Sequence, residues 1–214
     1  MATELPRCRA RFLLSEIARV TGGQLVGEDL EVRGVATDTR GMPEGALFVA
    51  LRGPRFDGHR FVSEALEAGA SAALVQDESA LAPGQRAVLV ADTLRALGDV
   101  AAFHRRRMDV QVVAITGSAG KTSTKELLAD ALAAGGRDVL RTRGNLNNRI
   151  GLPLTLLALE PRHEIAVIEM GTSEPGEIAR LTEIARPDVG VLTLVAAAHT
   201  EGLGSLEAVA AEKG

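Results

Sequence analysis

Residues 112–122 read VVAITGSAGKT, and this stretch decides the fold. The β-branched run Val112-Val113-Ala114-Ile115 signals a buried strand. Gly117-Ser118-Ala119-Gly120 breaks it, with glycines that allow positive φ and close backbone approach. Lys121-Thr122 then opens KTSTKELLADALAAGG. This run reads as a helix with Thr124, Leu127, Leu128, Ala131 and Leu132 on one face, stopped by Gly135-Gly136. Strand, glycine turn, Lys-Thr and helix make a phosphate cradle. N–H groups at the helix start, and its positive dipole end, face an anion. Thr116, Gly117, Ser118, Ala119, Gly120, Lys121, Thr122 and Ser123 are therefore the candidate ATP-binding residues. Lys121 would reach the β- and γ-phosphates, and the Thr122 hydroxyl would ligate Mg²⁺. The longer phosphate-loop pattern wants Gly five residues before Gly120. Ile115 stands there, which leaves the shorter G-x-x-G-K-T. An ordinary tight turn is the bland alternative, but it has no need of Lys-Thr at the helix mouth.

Around this stretch the composition is that of a soluble globular protein. The 214 residues are 46% apolar and 24% charged, enough for one large or two small domains. With no Trp or Tyr and five Phe, the core must be aliphatic. A net charge of −4 argues against nucleic acid as the main partner. The lone cysteine, Cys8, leaves no internal disulfide and fits a reducing compartment. No signal peptide opens the chain. The longest apolar run, 189–198, falls well short of the roughly 20 residues of a membrane span. A cytoplasmic protein without membrane insertion is expected. Lysine is scarce: only Lys121, Lys125 and Lys213 occur. Only lysine readily offers a neutral, nucleophilic amine, so each marks a place where arginine would not serve.

Two units are expected, residues 1–91 and 92–214. The first has a helix over 12–21, strands near 24–26, 32–36, 46–51, 71–76 and 87–90, and a loop over 52–59. A helix over 60–68 turns Phe61, Ala65, Leu66 and Ala68 inward. The second opens on a helix over 93–106, N-capped at Asp92-Thr93. Arg105, Arg106 and Arg107 sit at the C-terminal end of that helix, where cations complement its dipole. Beyond the phosphate-loop strand, strands at 138–140, 165–170 and 189–195 alternate with helices over 150–159, 175–185 and 204–212. The fold class is α/β: a small α/β domain, then a phosphate-loop domain with a doubly wound, mostly parallel sheet, incomplete at its C-terminus.

The strands of such a sheet share one carboxyl edge, and ligands bind in the crevice outside it. The glycine loop, Glu169 at the end of IAVIEM, and His199 just past 189–195 all fall there. Glu169 can supply the carboxylate of a Mg²⁺ site with Thr122. A surface residue is the alternative, but a charge after IAVI is costly unless paired. His199 could orient a carboxylate or bind a second metal, or be an exposed loop histidine, as His104 and His163 are read to be.

The motifs AITGSAGKTSTKE, GNLNNRIGLPLTLL, EMGTSEPGEIARL, AAHTEGLGSLEAVAAEKG and TDTRGMPEGALFVALRGPRFDGH span most of residues 35–213. Together they resemble the N-terminal and central domains of the Mur ligase family. The resemblance implies an ATP-dependent amide-bond ligase of peptidoglycan precursor synthesis, acting as a monomer. ATP would phosphorylate the terminal carboxylate of UDP-N-acetylmuramoyl-tripeptide, and the amine of D-alanyl-D-alanine would attack the acyl phosphate. By the family pattern Lys121 binds phosphates, Thr122 and Glu169 serve one Mg²⁺, and His199 serves a second. Lys213 matches the family lysine that CO₂ carbamylates, which lets it help hold that second Mg²⁺. Thr39, Arg40, Phe56, Asp57 and His59 are implied at the UDP end of the substrate. Asn145, Asn147, Asn148, Thr172 and Ser173 are implied in the central site. The family usually has Asn near Leu194. Its third, C-terminal domain has no counterpart here, so the chain is expected to be a fragment that binds ligands without turnover. The rivals are a sibling ligase adding the third amino acid, a folylpolyglutamate synthase-like ligase, and a non-catalytic nucleotide-binding module. A plain phosphate-loop kinase has no evident use for the first unit.

Overall fold

Short runs of Val, Leu and Ala carry the sheet of the first unit, Arg7–His104. The computed structural model describes residues 5–53, 56–196 and 205–213. β1 (Arg11–Leu13) pairs antiparallel with β3 (Glu31–Arg33), and α1 (Leu14–Thr21) follows β1 directly. The helix expected from residue 12 therefore starts two residues later, because β1 turns Phe12 into the core and leaves its neighbours out. Gly22 ends the helix with a left-handed φ of 66°, as the Gly-Gly pair led one to expect. β2 (Gln24–Val26), β4 (Val35–Ala36), β5 (Leu47–Val49), β8 (Ala72–Val75) and β9 (Ala87–Leu89) form a five-stranded sheet in the order β2-β9-β8-β5-β4. It is parallel except for the β2–β9 pair.

The expected loop over 52–59 contains a small hairpin, β6 (Arg52–Gly53) with β7 (Phe56–Asp57). A 3₁₀ turn then leads into α2 (Val62–Glu67), which buries Val62 and Ala65. Phe61 and Ala68, expected inward, are exposed instead: Phe61 closes the 3₁₀ turn and Ala68 is the C-cap of α2, both off the Val62–Ala65 face. α3 (Thr93–Arg106) is capped by Asp92, whose Oδ1 accepts the N–H groups of Leu94 at 2.8 Å and Arg95 at 3.0 Å.

The second unit runs from Arg105 onward. Its sheet holds β10 (Gln111–Thr116), β11 (Val139–Arg141), β12 (Ile165–Glu169) and β13 (Val189–Leu192) in the order β11-β12-β10-β13. Every pair is parallel. β10 is followed to one side by β11 and later to the other by β13, so the order reverses beside the strand that feeds the glycine loop. That reversal opens a crevice at the carboxyl edge.

α4 (Lys121–Ala134) packs on this sheet with a face shifted from the one expected, Leu128 and Leu132 being common to both. Lys125 and Ala129 are buried, and Leu128 and Leu132 pack with them against Ile115 and Val167, whereas Leu127 is 72% exposed. The true stripe is 125, 128, 129, 132, an i, i+3, i+4, i+7 set that begins with a lysine. Reading only apolar letters slides the face round by one position. α5 (Gly151–Leu156), α6 (Glu177–Ala185) and α7 (Leu206–Lys213) complete the unit. α6 starts two residues after the expected Pro175, because Gly176 takes a left-handed φ of 84° as its N-cap.

Candidate active site

The glycine loop needs its glycines. Gly117 has φ 144° and Gly120 φ 82°, values L-residues with a Cβ rarely adopt. A Cβ on Gly117 would also collide with Thr193 Oγ1 and the Leu194 backbone. The segment after β13 laces the loop in place. Thr193 Oγ1 donates to Ala119 O at 2.6 Å, and Ser118 N–H donates to Leu194 O at 2.7 Å. Ser118 Oγ donates to Ala196 O at 2.8 Å. Leu194, where the family usually has Asn, thus supports the loop through its main-chain carbonyl, a contact that any side chain permits. Behind the loop the first N–H groups of α4 have no helical acceptors, which leaves them for an anion. Lys121 Nζ donates back to Gly117 O at 2.7 Å, across the mouth of the loop. Thr116 Oγ1 donates to Met170 O at 3.0 Å and ties β10 to β12.

Glu169 ends β12 in register with Ile115 and is 2% exposed. Its carboxylate is fully engaged. Oε2 accepts Thr122 Oγ1 at 2.9 Å and Oε1 accepts Asn147 Nδ2 at 2.7 Å. Its own N–H donates to Thr142 Oγ1 at 2.9 Å. Lys125, which is fully buried, lies 4.0 Å from Oε2 through its Nζ. That ammonium donates to Thr142 O at 2.8 Å and meets Glu126 Oε1 at 2.7 Å. The sequence marked Lys125 only by the scarcity of lysine. The signal that could have found it is its place one helical turn beyond Lys121.

The other expected central residues divide. Asn147 reaches Glu169. Asn148 caps α5 instead, its Oδ1 accepting Ile150 N–H at 3.1 Å and Gly151 N–H at 2.9 Å. Asn145 lies in the same turn and accepts Asn147 N–H on its carbonyl at 2.8 Å. Thr172 is buried and donates to Glu174 O at 2.9 Å, while Ser173 N–H donates to Glu177 Oε2 at 2.7 Å, so both shape the entry to α6. Ser123 is exposed on the first turn of α4. Lys213 is 7% exposed on α7. Burial foremost, and then the Lys121 charge, hold its amine below the ordinary lysine range, against a smaller pull from Glu212. His199 lies outside the described residues. His104 and His163, expected on exposed loops, are buried. His163 Nδ1 accepts Glu160 N–H at 2.9 Å, and burial pushes its pKa down.

The donor set can be tested against a metal. Among the described residues no group of three or more His, Cys, Asp or Glu side chains gathers for one. What stands at the loop is one carboxylate and one hydroxyl, both oxygen. That sparse, hard set fits Mg²⁺, which keeps waters and takes phosphate oxygens for the rest of its shell.

In the first unit, Thr39, Arg40, Phe56, Phe61 and Glu64 line a cavity of about 470 Å³ together with Thr37, Asp38, Phe48 and Gly58. Phe61 joins the expected set by being outside the core. Arg40 is held by Asp38 at 2.6 Å, and Thr39 Oγ1 donates to Glu64 Oε1 at 3.0 Å. Asp57 and His59 build the wall rather than face the cavity. His59 is buried, its Nδ1 bonds Asp57 Oδ1 at 2.6 Å, and its Nε2 accepts Gln76 N–H at 3.0 Å. Both ring nitrogens are used, with the proton on Nδ1. Asp57 Oδ2 accepts Arg52 Nε at 3.0 Å.

Fold and site define an α/β protein with a nucleotide-phosphate loop at the carboxyl edge of a parallel sheet. The chain belongs to the Mur ligase family: the model of the Mur ligase middle domain matches residues 115–214 and that of the Mur ligase family catalytic domain matches residues 31–133. It is 46% identical over 201 residues to the UDP-N-acetylmuramoyl-tripeptide–D-alanyl-D-alanine ligase of Escherichia coli (strain K12), covering 94% of this chain and 44% of that protein. The enzyme of the same name in Bacillus subtilis (strain 168) is 44% identical over 204 residues, with 94% and 44% covered. The chain thus spans less than half the length of these relatives. A crystal structure of MurF from Acinetobacter baumannii matches with a TM-score of 0.88 at 34% identity, over 95% of this chain and 45% of that one. MurF ligase from Thermotoga maritima in complex with ADP matches with a TM-score of 0.77 at 40% identity, over 84% and 41%. Among the described residues no helix is long and apolar enough to cross a membrane.

Proposed function

We propose that this chain supplies the UDP-substrate and ATP sites of a cytoplasmic ligase that joins D-alanyl-D-alanine to UDP-N-acetylmuramoyl-tripeptide. The observation that carries the reading is the Glu169–Thr122 pair at the mouth of the glycine loop, on a chain with relatives of that name. A carboxylate is a poor electrophile, and transfer of the ATP γ-phosphoryl group gives it a leaving group. The residues at the loop suit that step. N–H groups at the start of α4 hold the phosphates, and Lys121, released from Gly117 O, neutralises charge on the transferring group. Thr122 and Glu169 would hold Mg²⁺, which would neutralise charge on the nucleotide phosphates. Asn147 keeps the second oxygen of Glu169 aimed. Lys213, whose amine burial already disfavours as a cation, is the candidate for carbamylation, with His199 as its companion at a second metal. The first unit, Arg7–His104, would be the substrate domain and the unit from Arg105 onward the ATP domain, so the boundary expected at 91/92 moves to the far end of α3. Thr39, Arg40 and Phe56, with Phe61, offer an aromatic and polar bed for a uridine nucleotide, on a wall that Asp57 and His59 brace. Asn145, Asn148, Thr172 and Ser173 set the backbone of the central site.

Titration calorimetry of the chain with UDP-N-acetylmuramoyl-tripeptide, the corresponding UDP-dipeptide and folate tests this. The tripeptide conjugate should bind most tightly. Preference for the UDP-dipeptide would assign the sibling that adds the third amino acid, and preference for folate would remove the chain from cell-wall chemistry.

A further inference from the structure

Lys125 has no part in the reaction as described, yet it is one of three lysines and is fully buried. Its ammonium faces three ways: Thr142 O at 2.8 Å, Glu126 Oε1 at 2.7 Å and Glu169 Oε2 at 4.0 Å. An ammonium has three donors on a compact centre, which suits this arrangement better than the flat fork of arginine. The neighbouring cations are occupied elsewhere. Lys121 Nζ is turned to Gly117 O, and Arg141 pairs with Glu126 and Asp130 at 2.7 Å each. The charge beside the buried Glu169 carboxylate is therefore that of Lys125. Thr142 closes the arrangement, since its carbonyl takes the lysine and its hydroxyl takes the Glu169 N–H at 2.9 Å.

We infer that Lys125 is a positioning residue: it is the resident counter-charge that holds Glu169 in its metal-binding pose before any cation arrives, and it ties α4 to the ends of β11 and β12. A buried carboxylate stripped of its partner destabilises the fold, so without Lys125 the site would depend on bound cation for its shape. The inference rests on the reading of Glu169 as the Mg²⁺ carboxylate, and two separate measurements keep the two apart.

The first is a double-mutant cycle by urea denaturation of this chain without metal, using Lys125→Met, Glu169→Gln and the double variant. Lys125→Met should lower the folding equilibrium constant at least about tenfold more in the native background than in the Glu169→Gln background. Equal losses in both backgrounds would make Lys125 a packing residue and overturn the inference. Where Lys125→Met alone does not fold, the double variant decides: folded supports the pairing, unfolded overturns it. The second measurement adds Mg²⁺ alone. It should raise the melting temperature of the Lys125→Met chain, or recover its folding, more than it shifts the native chain. Coupling without that Mg²⁺ response would leave the charge pair standing and count against the metal reading of Glu169.

Discussion

Gly117 shows how tightly one residue can bind sequence to chemistry. Its φ of 144° and the nearness of Thr193 and Leu194 leave no space for a Cβ. Gly117→Ala should destabilise the fold by more than about 1 kcal/mol and abolish nucleotide binding, read by denaturation and by fluorescence titration with a labelled ADP. A variant that keeps both would mean that the loop tolerates another backbone path. Asp57 offers a test through pH. The N–H and then the ring of His59 hold its carboxyl down to about 2, from an ordinary 3.8. A carboxyl depressed in the fold adds stability that is present above its unfolded pKa and lost as pH falls through the folded one. The stabilisation from Asp57 should therefore hold above pH 4 and fade towards pH 2. Urea midpoints over that window should fall more steeply for the native chain than for Asp57→Asn. Parallel curves would contradict the assigned contact.

At the scale of elements, α6 begins under a cap borrowed from another helix. Glu212 of α7 accepts Gly176 N–H at 2.7 Å on Oε2 and Ile178 N–H at 2.9 Å on Oε1. A carboxylate at that end satisfies orphan donors and meets the positive end of the helix dipole. It also anchors the last turn of α7, which carries Lys213. Glu212→Ala should cost about 0.5–2 kcal/mol, a fall of roughly 1–8 °C in Tm by calorimetry for a chain of this size. An unchanged Tm would show the cap to be idle. The elements themselves were largely legible. Alternating strand and helix signals fixed the parallel sheet, and the end of IAVIEM marked Glu169. What misled was polarity in unexpected places. Lys125 opens the buried stripe of α4, so an apolar count places Leu127 inward, where the structure exposes it. His163 reads as a surface residue because its partner, the Glu160 N–H, is a main-chain group that side-chain patterns do not show. Asn148, implied in the central site, also caps α5, a second task that its letter does not show.

For the whole molecule, two units carry two binding surfaces with different chemistry. The first presents an aromatic cavity braced by Asp57 and His59. The second presents N–H donors, Lys121 and the Thr122–Glu169 oxygen pair proposed above to hold a metal nucleotide. The proposal that both surfaces serve one reaction rests on the family resemblance, since neither motif points to it by itself. The sequence carried the glycine loop because its spacing is local. The network around Glu169 was less legible, since Thr122, Lys125, Thr142 and Asn147 meet there only through the sheet. The central claim is that Glu169 and Thr122 bring a metal to the nucleotide at this loop. Calorimetric titration of the chain with ADP, in Mg²⁺ and in EDTA, tests it most directly. The native chain should bind ADP at least about tenfold more tightly in Mg²⁺, a difference of about 1.4 kcal/mol, and Glu169→Ala should erase that difference. Binding that is equal in Mg²⁺ and EDTA, or a Mg²⁺ effect that survives Glu169→Ala, would contradict it.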